Sequence, residues 1–320
     1  MTKFLPGFLL LFGLLAGRAD DVPQADLSNG SVKAKLYLPD PKAGYYRGVR
    51  FDWSGVIAGL EYKGHTYFGP WFDRYDPYLH DAISGPVEEF SALGFDTAKP
   101  GEPFVKIGVG SLRKTEDTKY QFVTPYQLID GGAWSVDKKK DQVRFTHRLN
   151  DAAGYSYEYE KTVKLTKDKP EMVLEHRLKN TGKQRIETAV YNHNFLVIDQ
   201  QPAGPDFRVQ FPFTVKAMDD LKGMAEVRGN ELTYTRPLQN KESFYTILQG
   251  YGPDAKDYDI RVENRRTGAG VRIRGDRPFS KLAFWTNPRN LSPEPFIGIQ
   301  LEPGQEFTWK LSYEFYTLNP

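Results

Sequence analysis

The sequence predicts an all-β protein, a large antiparallel β-sandwich. Three observations carry that prediction. Apolar and polar residues alternate over short runs, turn signals separate the runs, and aromatic residues make up 14% of the 320-residue chain. Side chains two apart on a strand share a face, so alternation gives one buried face. Tyr, Phe and Trp suit that pleated surface. No window of a dozen residues keeps the i, i+3, i+4, i+7 spacing of an amphipathic helix.

Taken in order, Val32 to Leu38 alternates up to the break Pro39-Asp40-Pro41. Val143 to Leu149 alternates before Asn150-Asp151, and Tyr155 to Leu165 interleaves aromatic or aliphatic residues with polar ones. Lys138-Lys139-Lys140-Asp141 reads as a hairpin tip. Met172 to Leu178 runs into Asn180-Thr181-Gly182, a turn signal. Ile186 to Ile198 reads as the next strand pair. Glu306 to Phe315 sets Phe307, Trp309, Leu311, Tyr313 and Phe315 on one face. Turn signals recur with no repeat and no low-complexity linker. Residues 32–320 are therefore expected to form one β-sandwich domain, with a polar, flexible segment over residues 20–31.

The first residues read as a secretory signal peptide. Lys3 supplies a positive start, Phe4 to Leu15 is mostly apolar, and Ala16-Gly17-Arg18-Ala19 offers small residues for a cut after Ala19. The apolar run is short for a membrane span. An exported protein, periplasmic or secreted, is expected, with no stable membrane insertion after cleavage. A formal charge of +2 argues against a nucleic-acid partner. The absence of cysteine excludes thiolate nucleophiles, Cys-ligated metals and disulfides.

Five histidines remain as chemistry-bearing candidates: His65, His80, His147, His176 and His193. No His-Glu-x-x-His pair, Gly-x-Ser-x-Gly elbow or phosphate-cradling loop is present. The residues imply no cofactor, and nothing in them indicates a structural calcium. His193 stands apart, in Tyr191-Asn192-His193-Asn194-Phe195. Far downstream, Glu294 sits between Pro293 and Pro295, which stiffen the backbone on both sides. A fixed carboxylate near an imidazole can move one proton on and another off.

These motifs resemble the galactose mutarotase (aldose 1-epimerase) superfamily. The resemblance rests on Asn180-Thr181-Gly182 followed by Asn192-His193-Asn194-Phe195. It continues in Phe284-Trp285-Thr286, Glu294-Pro295 and Leu301-x-Pro303-Gly304-x-x-Phe307. Tyr46 to Gly55, including Arg50, occupies the place of the family's first strands. The resemblance implies a β-supersandwich fold and a mono- or oligosaccharide ligand. It implies Glu294 as base on the anomeric hydroxyl and His193 as acid on the ring oxygen. The family's second histidine, in a Leu-His-Gly-Gly-like segment, has no counterpart; His80-Asp81 or Lys106 stand nearest by order. Gly85 to Phe90, with Glu89, replaces an arginine-rich motif. Trp285, Trp53 or Trp71 are candidates to stack on a sugar, and Asn192 to bind its hydroxyls.

The departures keep two other readings open. A polysaccharide lyase acting on a uronate polymer needs a cation such as Lys106, Arg50 or Arg113, and a base such as Tyr191 or His193. A non-catalytic carbohydrate-binding protein keeps the cleft without the chemistry.

Overall fold

The computed structural model describes residues 22–116 and 118–318, so the expected signal peptide over residues 1–19 lies outside the described residues. The first strands are β1 (Gln24–Ser28), β2 (Val32–Tyr37), β3 (Val56–Tyr62), β4 (His65–Thr66), β5 (Val87–Phe90), β6 (Pro103–Lys106), β7 (Gly110–Arg113) and β8 (Gln127–Asp130). The middle of the chain forms β9 (Ala133–Lys138), β10 (Gln142–Ala152), β11 (Tyr155–Leu165), β12 (Glu171–Asn180), β13 (Ile186–His193), β14 (Phe207–Gln210), β15 (Lys216–Ala217), β16 (Ala225–Arg228) and β17 (Glu231–Tyr234). The last are β18 (Phe244–Gln249), β19 (Asp259–Asn264), β20 (Ala269–Gly275), β21 (Lys281–Asn287), β22 (Asn290–Leu301) and β23 (Glu306–Thr317).

Two sheets dominate this all-β fold. One has ten strands in the order β16-β17-β14-β19-β20-β23-β12-β11-β10-β9, the other six in the order β15-β18-β21-β22-β13-β5. Strands β1 to β4 and β6 to β8 form two smaller sheets. The long strands β11, β12 and β23 pair antiparallel. Their alternation puts Tyr159, Leu174, Trp309 and Tyr313 inside. From the six-stranded sheet, the Phe90 ring meets Tyr159 edge-on at 5.3 Å and Trp309 at 6.2 Å. The Tyr313 hydroxyl donates to Asn194 Oδ1 across the same gap at 2.8 Å. Burying one such large apolar side chain stabilises by ~1.5–3 kcal/mol. The apolar interior therefore outweighs the buried polar groups within it.

Two details differ from the sequence reading. Within the expected flexible segment 20–31, Gln24–Ser28 is a strand paired along its length with β2, and Leu27 is buried. Its own two-residue alternation is masked by polar neighbours. The stretch from Ile186 to Ile198 is one strand, not two. It ends at His193, turns through Phe195 at φ 40°, and closes in a 3-10 turn at Ile198–Gln200.

Candidate active site

Strand register assembles the site. In an antiparallel pair, directly opposed residues share a face. Glu89 on β5 opposes Tyr191 on β13, Tyr191 opposes Phe296 on β22, and Phe296 opposes Lys281 on β21. One row further along, Val87 opposes His193, while Glu294 opposes Ala283. The next row joins Tyr245 to Trp285 and Trp285 to Ser292. These rows bring Glu89, Tyr191, Phe296, His193, Glu294, Tyr245 and Trp285 to one cavity.

The β13–β22 ladder is regular up to Tyr191–Phe296 and resumes only at the Leu196–Leu291 bridge. Pro293 and Pro295 lie in that interval and have no N–H to give a ladder bond. Asn194 fills part of the gap, donating from Nδ2 to the Pro293 carbonyl at 2.6 Å and from its backbone N–H to Ser292 Oγ at 2.9 Å. Within the gap, His193 Nε2 and Glu294 Oε1 come within 3.1 Å of each other. Ser292 Oγ holds the other ring nitrogen, Nδ1, at 2.8 Å. The imidazole is clamped face-to-face on Phe195 at 3.6 Å, with Trp285 edge-on at 5.3 Å. Glu294 Oε1 is buried and, despite its nearness to the imidazole, accepts no hydrogen bond. Such an orphaned acceptor costs free energy and awaits a donor.

The pair opens into a cavity of ≈ 720 Å³ lined by Arg50, Asp81, Glu89, Tyr120, Phe122, Tyr191, His193, Trp285, Glu294 and Phe296 among others. Arg50 organises its charged wall. It donates from Nε to Glu89 Oε2 at 2.8 Å and from Nη1 to Asp81, and Nη2 reaches the Tyr191 hydroxyl at 3.2 Å. The guanidinium sits 4.4 Å from the Phe51 ring centroid and 4.0 Å from that of Phe122, a cation–π sandwich. The Tyr191 hydroxyl donates to Glu89 Oε2 at 2.7 Å, and Lys106 Nζ approaches Glu89 Oε1 at 3.3 Å.

Burial and charge set the protons. Burial pushes the Glu294 carboxyl up to about 8; Arg50 and Lys281 oppose that rise, and Glu89 adds to it. Burial, with the positive Arg50 adding to it, holds the His193 imidazole well below its usual range. Both directions favour the uncharged forms, a protonated carboxyl beside a neutral imidazole. Burial also opposes charge on Glu89, but Lys106 and Arg50 outweigh it and hold that carboxyl below its usual range.

Of the residues singled out in the sequence, Arg50, Glu89, His193, Trp285 and Glu294 meet in the cavity wall. Lys106 is fully buried behind Glu89. His80 stands beside the wall, its Nε2 3.1 Å from Asp81 Oδ2. Asn192 faces the other way and donates to Glu88 between the sheets at 2.9 Å. Trp53 and Trp71 are buried, their indole N–H groups donating to the Gly48 and Ile83 carbonyls. Arg113 is held by Gln127 and the Gly101 carbonyl at the surface. Sequence reasoning missed Phe296, Phe195, Tyr120, Phe122 and Tyr245. For the first two a signal existed, since Phe296 is two residues from Glu294 and Phe195 two from His193.

A second buried polar cluster lies behind the cavity wall. Glu88, next to Glu89, faces inward to Lys161 Nζ and to His176 Nε2, the latter at 2.8 Å. Burial opposes the Glu88 charge, but Lys161 and His176 outweigh it and bring the carboxyl to about 2. Asp52, accepting from the Tyr159 hydroxyl at 3.1 Å, is raised to about 7 by burial, with Glu88 adding to the rise. Among the described residues, no group of three or more His, Asp and Glu side chains is placed to hold a metal.

No protein-family model matches the chain. No curated protein matches it. Solved structures do. A galactose mutarotase-like protein from Lactobacillus casei superposes with a TM-score of 0.56 at 13% identity, covering 92% of this chain and 100% of that one. A GalM/aldose epimerase homologue from C. elegans gives 0.55 at 14% identity, with 93% and 100% covered. A galactose mutarotase-like protein from Clostridium acetobutylicum gives 0.54 at 10%, again with 93% and 100% covered. The likeness covers more than nine-tenths of the chain, and the chain has the galactose mutarotase-like fold.

Proposed function

We propose that this protein interconverts the anomers of an aldose sugar, with Glu294 and His193 exchanging protons with the anomeric hydroxyl and the ring oxygen. The observation that carries the reading is their 3.1 Å approach at one cavity. Both sugar oxygens are bonded to the anomeric carbon, so an acid and a base in mutual contact reach both. Ring opening removes the O1 proton and adds one to the ring oxygen. Rotation about the bond to C1 and the reverse exchange close the ring on the other face. Trp285 supplies a flat apolar surface beside the pair.

The directions of the two pKa shifts support roles the reverse of those the resemblance implies. Glu294 holds the proton in the empty cleft and acts as acid; neutral His193 acts as base. The test is kcat/KM for anomer interconversion as a function of pH, followed by NMR with the spontaneous rate subtracted. The expected profile falls above a pH of about 8 as Glu294 loses its proton, and its acid limb lies well below the usual histidine range. A profile rising through pH 8 restores Glu294 as base. Absence of turnover on any aldose overturns the function itself.

The lyase reading finds less support. Arg50 and Lys106 are already committed to Glu89 and Asp81, and Tyr191 donates to Glu89. A uronate carboxylate entering here meets Asp81, Glu89 and Asp96 in the lining. Export with cleavage after Ala19 belongs to the same proposal, and N-terminal mass spectrometry of the mature protein tests it.

A further inference from the structure

The cavity offers more room than one hexose ring fills; ~300–1,000 Å³ is the range that holds drug-sized ligands, and this one measures ≈ 720 Å³. Its aromatic side chains form two groups. Phe195, Trp285 and Phe296 surround the proton-exchanging pair: Phe195 stacks on His193, Trp285 meets both rings edge-on, and Phe296 stacks on Tyr191 at 4.3 Å. Phe95, Tyr120 and Phe122 belong to other contacts. Tyr120 meets Phe95 edge-on at 5.5 Å, while Phe122 lies on Arg50 and meets His80 at 5.8 Å. Between the two groups runs the Arg50–Glu89–Tyr191 cluster. Phe122 is among the exposed large apolar residues of the chain, although it lines the cavity.

Charge narrows the ligand. The cations Arg50 and Lys106 are ion-paired, Lys281 lies with its ammonium 3.7 Å over the Phe296 ring, and Asp81, Glu89 and Asp96 face the space. Arg50, Lys106 and Lys281 balance Asp81, Glu89 and Asp96 along this wall, so a neutral polyhydroxyl ligand can bond to the lone pairs left over without disturbing the balance, while a carboxylated or phosphorylated one adds an uncompensated charge. Flat apolar rings on one side of a polar wall match the C–H faces and hydroxyl edges of a pyranose.

Resting on the anomer-exchange reading, we infer that the cleft holds two consecutive rings of a neutral di- or oligosaccharide. The reducing-end ring lies against His193, Glu294 and Trp285. The next ring lies on Phe122 and beside Tyr120, whose own ring lies parallel to Tyr126 at 5.6 Å with the Lys106 ammonium 5.0 Å from its centroid. No covalent step is added: the second ring is held and oriented, and its binding energy positions the first.

The experiment compares glucose and galactose with cellobiose, maltose and lactose, with kcat/KM measured by NMR on the full-length protein. The expected result is a kcat/KM at least tenfold higher for one of the disaccharides. Phe122→Ala, at an exposed position where folding is not at stake, is expected to lower the disaccharide-to-hexose ratio about tenfold, the loss of one stacked ring. Tyr120→Phe keeps the ring and is expected to retain most of that ratio. Calorimetry of the same sugars on Glu294→Gln reads binding without turnover. Hexoses turned over as well as every disaccharide, with a ratio that Phe122→Ala leaves unmoved, overturn the two-ring inference and leave the anomer-exchange reading standing. Tighter disaccharide than hexose binding with no turnover overturns that reading and sustains the two-ring site. Neither binding nor turnover of any of these sugars overturns both.

Discussion

Glu88 and Glu89 are neighbours on one strand and both are buried beside cations, yet strand alternation sends them to opposite sides of the six-stranded sheet. Glu88 meets Lys161, His176 and Asn192 in the closed space between the sheets. Glu89 meets Arg50, Lys106 and Tyr191 at the wall of an open cavity. The inward cluster has its carboxylate oxygens occupied by protein donors. The outward surface includes Glu294, one of whose oxygens has no donor at all. Both regions bury charge beside cations, and what sets the outward one apart is a carboxyl oxygen at a cavity that no protein group occupies.

The same isosteric change tests the contrast from both sides. Glu294→Gln keeps the shape and neutrality of the protonated carboxyl, so urea unfolding should sit close to wild type at pH 4.5 and should be shifted to higher stability at pH 7, where ionisation favours the unfolded wild-type chain. Loss of the proton donor is expected to lower kcat by ~10²–10⁴. Wild-type turnover in this variant would remove Glu294 from the chemistry. Glu88→Gln strands the Lys161 ammonium, and breaking a buried pair from one side costs ~3–5 kcal/mol. Urea unfolding measures that loss, and an unchanged midpoint means that the inward cluster is not held by its charge.

Acid unfolding separates the two carboxyls further. Glu88 titrates near 2 when folded, against an ordinary value of 4.5. Its stabilisation is present above the unfolded value and is lost as pH falls through the folded one. It amounts to on the order of 3 kcal/mol. Glu294 has the opposite sign. Its folded value of about 8 lies above the ordinary 4.5, so its contribution is largest at acid pH and declines as pH rises toward 8. Glu88→Gln should flatten the stability curve between pH 4.5 and 2, and Glu294→Gln should reduce the decline between pH 4.5 and 8. Unchanged slopes in both variants contradict the proton positions. The smallest effect belongs to Asn192→Ala. Losing one donor to Glu88 is expected to cost ~1–3 kcal/mol in stability with KM unchanged, whereas a raised KM would bring this side chain back to the cleft.

Much of this contrast was legible before any coordinates. Tyr191 and His193 are two apart and must share a face on a strand, as must Glu294 and Phe296. By the same rule Asn192 cannot share the cleft with His193, and reading the two as one binding motif overlooked the alternation. Phe122, Tyr120 and Asp81 carried no comparable signal. They sit between regular strands, where side-chain direction follows loop conformation rather than a period.

The residues by themselves determined the all-β class, the faces of the long alternating strands and the absence of thiol chemistry, because those follow from composition and a two-residue period. The Pro293-Glu294-Pro295 sequence also marked a rigid point in the chain, since each proline fixes its own φ and restricts the residue before it. Only the tertiary structure decided that the broken ladder faces His193 and that Arg50 is spent on Glu89 and Asp81. It also set the opposite directions in which burial moves the two groups, Glu294 up and His193 down. These depend on pairings between distant strands and on how much water the surrounding chain removes. Desolvation is a property of everything packed around a group, not of its neighbours in sequence.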